Sequence, residues 1–215
     1  MKKNQIKTCF ITSGKASFFL STLLIMFSFN YLYCKDFQSY NSWLNNSLIP
    51  MVSNNLEINF KKNLEKNIHL NKKEFIRLNN ALDLIKDRDF IFPEKYFNTN
   101  RLRKRAKYAQ KFKATNGRAL DEIENKYGVS KNILLAVWAI ESDFGRADLA
   151  FSSLKALAYQ SYFSNRKEYF YTETVELINS LQGGLVSFSE IKSSPMGALG
   201  QPQFMPSSFN RFAVD

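Results

Sequence analysis

The sequence predicts a predominantly α-helical fold. Apolar residues recur at three- and four-residue intervals through most of the 215 residues. Several of these stretches carry helix punctuation, such as Ser130 ahead of one and Gly128 behind another. No window alternates convincingly with the period of two that a strand requires. The chain is 45% hydrophobic and 23% charged, which places it among globular proteins rather than disordered ones. Its 20 phenylalanines are unusually many, and a helical core can absorb that many large rings.

Residues 1–34 read separately from the rest. Lys2, Lys3, Lys7 and Lys15 make a basic start with no acid, and an apolar run follows from Phe18 to about Tyr33. That order is the order of a secretory signal. The run is also nearly long enough to span a bilayer, so a membrane anchor stays open. No clear small-x-small cleavage site is present, and Cys34 follows Tyr33 where a lipoprotein needs a small residue. The expected organisation is a signal peptide or membrane anchor over 1–34 and a helical domain over 35–215.

The elements follow in order. Phe37, Tyr40, Trp43 and Leu44 recur at helical spacing, as do Phe75, Leu78, Leu82 and Ile85. Pro93 breaks the second stretch. Tyr96 to Phe112 is a basic segment carrying Arg101, Arg103, Lys104, Arg105, Lys107 and Lys111, best read as a solvated helix face. Arg118 to Tyr127 reads as a short helix, with Gly128 as its left-handed cap. Ser130 suits the N-cap of a helix from Lys131 to about Asp143. Further helices are expected from about Ser153 to Tyr162 and from Lys167 to Leu181. The segment Ser193 to Pro206 holds two glycines and three prolines and cannot be one regular helix. Ser207 or Ser208 could cap another helix after it.

Several function classes fall away on composition. The two cysteines, Cys9 and Cys34, both lie in the leader, so the remainder has no disulfide and no thiol nucleophile. His69 is the single histidine, which nearly excludes a histidine triad or a multi-histidine metal site. Four of the 11 units of net positive charge belong to the leader and +7 remains. That excess suits nucleic acid, a membrane surface or an anionic cell wall, and an export signal argues against nucleic acid. A basic solvated face with no specific partner fits equally well.

Glu141 is the most informative position for chemistry. It ends the run from Ile133 to Ile140, and on a helix Val137 and Trp138 share its side. A carboxyl group on an apolar, aromatic face is expected to be desolvated and so to hold its proton, the condition a glycosidase's general acid needs. The helix alone favours a plainer role, that of a helix-end glutamate exposed or paired with arginine. Asp143 cannot partner it, because two helical steps turn about 200° and aim the two groups to opposite sides. A local hydrogen-bond role near the helix end suits Asp143 better. In the Gly197–Pro206 loop, the glycines let backbone approach a ligand and Gln203 offers amide groups to sugar hydroxyl and acetamido groups. On composition alone a structural turn explains the loop as well.

Two stretches in this order, Tyr127-Gly128-Val129 with Ala136 to Gly145, and Gly197 to Ser208, resemble the membrane-bound lytic murein transglycosylase B family. Phe212-Ala213-Val214-Asp215 fits as well, Leu154 to Tyr159 and Arg166 to Glu173 match more loosely, and the likeness weakens before Tyr127. The resemblance implies a lysozyme-like helical transglycosylase domain acting on peptidoglycan glycan strands in the periplasm or cell envelope. It implies cleavage of the β-1,4 bond between N-acetylmuramic acid and N-acetylglucosamine with formation of a 1,6-anhydro ring. Glu141 stands at the family's catalytic glutamate, Ser194 at a serine that hydrogen-bonds it, Gln203 at a substrate-contacting glutamine, and Arg166 at the second of two arginines near the peptide-binding part of the cleft. Association with the inner or outer membrane is also implied, and no cofactor.

The chain departs from that pattern in places. Asn165 replaces the first arginine, Ser193 a glycine, Pro195-Met196 an aromatic-small pair, Asp143 an asparagine and Ala150 a glycine. The family domain continues past the Ala-Val-Asp motif where this chain stops, so a catalytic domain incomplete at its C-terminal end is expected. No metal site can be argued from the residues present. Two other readings compete. One is a non-catalytic wall-binding module. The other is a hydrolytic muramidase, which needs a second carboxylate facing Glu141, such as Glu173 or Asp148.

Overall fold

Helix α1, Phe37–Trp43, carries Tyr40 into the centre of an aromatic cluster. The ring of Tyr40 lies 5.8 Å from Phe75, 6.0 Å from Tyr159 and 6.0 Å from Phe163. The computed structural model that shows this describes residues 36–88 and 98–213. The leader and Pro93 lie outside the described residues. A π-helical turn, Leu44–Leu48, continues α1, and both of its leucines are buried. Helix α2, Ile49–Ser53, carries Pro50 in its first turn, where proline is tolerated.

Helices α3, Ile58–Ile68, and α4, Lys72–Arg88, follow. Asn71 and Glu74 cap α4 reciprocally: Asn71 Oδ1 accepts from the Glu74 amide and Glu74 Oε2 from the Asn71 amide, each at 2.9 Å. The stripe expected on α4 is buried, with Phe75, Leu78 and Leu82 in the core and Ile85 against it. His69, just past α3, is half-buried at the C-cap.

Helix α5, Thr99–Tyr127, joins the basic segment and the expected short helix into one element. Its dihedral break is at Asn116, whose side-chain amide donates to the Phe112 carbonyl at 3.0 Å. A side chain that competes for backbone acceptors bends a helix in this way. Gly128 then ends α5 with φ 67°, and Ser130 accepts from the Asn132 amide to open α6, Lys131–Ser142. These two helices share a small core of their own, Leu120, Leu135, Ala139 and Phe144.

Helix α7, Ser153–Phe163, is apolar on most sides and almost wholly buried, the mark of a core helix. It packs against α8, Lys167–Gln182. Two short strands, for which the sequence gives no convincing signal, accompany the predominantly α-helical fold. They are β1, Phe151–Ser152, and β2, Lys192–Ser193, antiparallel with Phe151 opposite Ser193. They are two residues each, too short for any alternation to show in sequence. Their effect is to pin the start of the glycine-proline loop beside α7. The last helix, α9, Pro206–Phe212, begins two or three residues earlier than a cap at Ser207 or Ser208 would place it. Met205 is its N-cap, and the amide and hydroxyl of Ser207 are held by Glu173 of α8 at 2.9 and 2.7 Å. Among the described residues no helix is long and apolar enough to cross a membrane.

Candidate active site

Glu141 sits in the last turn of α6. The helix packs one stripe, Leu135, Ala139 and Ser142, against its neighbours. A second apolar set, Ile133, Val137 and Ile140, is exposed, with Val137 at 51%. Glu141 is exposed as well. The desolvated pocket expected from Val137 and Trp138 is therefore not formed by the described residues. The cause lies in α6 itself, which is apolar on several faces, so its composition leaves open which face is buried.

The chain leaves α6 by an unusual path. Asp143, Phe144 and Gly145 take φ values of 52°, 61° and 74°, three left-handed residues in succession. Left-handed backbone costs a non-glycine residue about 1–2 kcal/mol, so the surroundings must hold it. They do so from several sides. Ser142 Oγ accepts from the Gly145 amide at 3.0 Å, and the Phe144 ring is buried between Tyr108 and Trp138 at centroid distances of 4.6 and 5.3 Å. Asp143 pairs with Arg105 and Arg146, each at 3.1 Å. Partial burial pushes the Asp143 carboxyl up, but the two arginines outweigh it and hold it below the usual carboxylate range. The local role expected of Asp143 is thus what the structure shows, and its carboxylate is committed to cations.

The glycine-proline loop is docked on two surfaces. On one side Gly197 lies against α7. Its φ is 87°, and an added Cβ would stand 2.4 Å from Leu157 Cδ2, so only glycine fits. Its carbonyl accepts from Ser153 Oγ at 2.6 Å. On the other side Gln201 meets the end of α6. Trp138 Nε1 donates to Gln201 Oε1 at 3.0 Å. The Gln201 amide group also covers Gly145, where a Cβ would lie 2.6–2.8 Å from its three terminal atoms. Leu199 and Phe204 close the loop between these contacts with a pair of backbone hydrogen bonds, 2.6 and 3.1 Å.

Ser194 and Gln203 both belong to this loop. Ser194 is half-buried, its amide and carbonyl forming a tight turn with Ala198 and Gly197. Among the described residues no hydrogen bond joins Ser194 to Glu141. Gln203 has φ 53°, and its Nε2 donates back to the Gly200 carbonyl at 2.7 Å, so one of its donors is occupied within the loop. Arg166 is exposed at the N-cap of α8, its guanidinium 4.1 Å over the Tyr169 ring. Burial first, and then the Glu173 carboxylate, push the Tyr169 hydroxyl up. Arg166 is therefore linked through Tyr169 towards Glu173 and Ser207.

The residues that join helix and loop, Gln201, Trp138 and Gly145, carry no site assignment from the sequence. The signal for Gly145 was its place just past α6. Gln201 gave none, because nothing local separates its amide from that of Gln203. An apolar cavity of about 420 Å³ opens between α5 and α6, lined by Leu102, Ala106, Ala109, Ala136 and Ile140 among others. Glu141, Ser194, Gln203 and Arg166 are not among its walls. No cluster of three or more His, Cys, Asp or Glu side chains suited to a metal occurs among the described residues.

A family model described as Transglycosylase SLT domain matches residues 63–215. The chain belongs to that family. As a transglycosylase SLT domain it is 34% identical over 98 residues to the membrane-bound lytic murein transglycosylase B of Escherichia coli (strain K12). That match covers 45% of this chain and 27% of the relative. The fold is similar to that of SltB3 from Pseudomonas aeruginosa, solved in complex with NAG-NAM-pentapeptide. Their TM-score is 0.67 at 23% identity, over 82% of this chain and 46% of that one. The Escherichia coli lytic transglycosylase Slt35, solved in complex with bulgecin A, is 26% identical with a TM-score of 0.56 over 83% of this chain and 54% of that one. The transglycosylase SLT domain described here thus spans about half the length of these solved relatives and 27% of the curated one. The mainly α, lysozyme-like transglycosylase fold expected from the sequence is the fold observed.

Proposed function

We propose that this chain is a lytic transglycosylase that cleaves peptidoglycan glycan strands at the β-1,4 bond between N-acetylmuramic acid and N-acetylglucosamine, with Glu141 as its single acid/base. The observation that carries the proposal is a carboxylate in the last turn of α6, the helix that Trp138 ties to the glycine-proline loop, with two of the neighbouring candidate acids already engaged elsewhere. Asp143 is committed to Arg105 and Arg146, and both oxygens of Glu173 are committed to Ser207. A hydrolase needs a second carboxylate to activate water or trap the sugar. An intramolecular nucleophile removes that need. Glu141 gives its proton to the glycosidic oxygen as the C1–O bond breaks, freeing the 4-hydroxyl of N-acetylglucosamine. The muramic acetamido group stabilises the positive charge at C1. The C6 hydroxyl then attacks C1, closes the 1,6-anhydro ring and returns a proton to Glu141. Proton bookkeeping balances with no water consumed.

In this reading Gln203 and Ser194 line the sugar-binding side, Arg166 meets a stem-peptide carboxylate, residues 1–34 export or anchor the chain, and residues 35–215 are the catalytic domain in the periplasm or cell envelope. Digestion of purified peptidoglycan tests the reaction. Muropeptides ending in 1,6-anhydromuramic acid are expected, and Glu141→Gln is expected to abolish them while leaving the far-ultraviolet circular dichroism unchanged. Ordinary reducing ends in their place contradict the assignment. The exposure of Glu141 favours a second reading, a wall-binding module without catalysis. Retained sacculus binding with no anhydro product at high protein concentration would select that reading.

A further inference from the structure

We propose that Gln201 is a positioning residue, a clamp that fixes the glycine-proline loop over the end of α6 beside Glu141; its catalytic consequence rests on the reaction proposed above. Three features point to it. The hydrogen bond from Trp138 Nε1 to Gln201 Oε1 spans 63 residues of sequence at 3.0 Å. Gly145 leaves open the space that the Gln201 amide fills, since any Cβ there would come within 2.6–2.8 Å of it. Trp138 and Gly145 are the third residue before and the fourth after Glu141, so one side chain brackets the carboxylate along the chain.

The packing explains why a glutamine suits the position. Trp138 is wedged edge-on against Phe112 and Phe144, at centroid distances of 5.1 and 5.3 Å. Its ring is therefore fixed, with its N–H directed to an exposed acceptor on the loop. A glutamine carbonyl supplies one on a side chain long enough to lie flat on Gly145. The loop's other anchor, Gly197 on Leu157, belongs to the main core and holds the opposite side. The clamp is what ties the loop to the α5–α6 pair.

The test uses the indole itself as reporter. The full chain has two tryptophans, and Trp43→Phe leaves Trp138 alone. Acrylamide quenching of Trp138 is measured in that background and with Gln201→Ala or Gln201→Glu added. The proposal expects quenching to rise about twofold or more in Gln201→Ala. Gln201→Glu keeps an acceptor for the indole and is expected to stay near the parent. Equal quenching in all three overturns the clamp. On peptidoglycan the same Gln201→Ala is expected to lose about tenfold or more in kcat with a smaller change in KM, as for a reacting group held out of place. Increased quenching with unchanged kcat overturns the positioning role. Should the parent form no anhydro product, the proposed reaction fails, and the quenching comparison alone decides the clamp.

Discussion

At the scale of single residues, Glu141 and Tyr40 show opposite relations between sequence and environment. Tyr40 was legible as a core residue from its spacing with Phe37, Trp43 and Leu44, and its side chain is fully buried. What spacing does not reveal is that its hydroxyl has no hydrogen-bond partner, while burial pushes its ionisation far above the ordinary tyrosine value. A buried unsatisfied hydroxyl costs about 1–3 kcal/mol. Tyr40→Phe is therefore expected to stabilise the protein by up to that amount, read as a higher urea midpoint with an unchanged slope. Glu141 was legible as a candidate from its motif but not in its burial. Periodicity fixes which residues share a face; which face packs is decided by the partners available, here chiefly α5.

At the scale of elements, the glycines carry the clearest expectation. Gly197 combines a left-handed backbone with a 2.4 Å approach to Leu157. Gly197→Ala is expected to cost about 2–4 kcal/mol through backbone strain and overpacking, measured by equilibrium unfolding. A cost below about 0.5 kcal/mol would show that the loop is not docked as described. The turn after α6 gives a pH signature. Asp143 has its folded pKa lowered, so the stability it adds is present above its unfolded value and is lost as pH falls through the folded one. Its side chain is 39% exposed, so solvent screening limits the effect to about 0.2–1 kcal/mol. Asp143→Asn is expected to be less stable than the parent at pH 7, with the difference closing as pH drops below about 4. A difference that persists at low pH assigns the loss to packing instead. Helix caps at Gly128 and Ser130 were readable because their signals are local. The strand pair and the cap on α9 were not, because Ser193 and Glu173 act on residues far away in sequence.

At the scale of the whole molecule, the described chain has a large core around α7 and a smaller one between α5 and α6. The glycine-proline loop touches both, through Gly197 and Gln201, and Glu141 lies on the smaller one's exposed side. The sequence showed the helices and both motifs because their signals are periodic or local. Their joining through one tryptophan–glutamine hydrogen bond is a tertiary fact with no local cue. The central chemical claim is that a sugar hydroxyl, not water, closes the reaction. Digestion of purified peptidoglycan in oxygen-18-labelled water, followed by mass spectrometry of the muropeptides, tests that most directly. Anhydromuramic products free of the label are expected, and label at C1 of reducing muramic acid would contradict the claim.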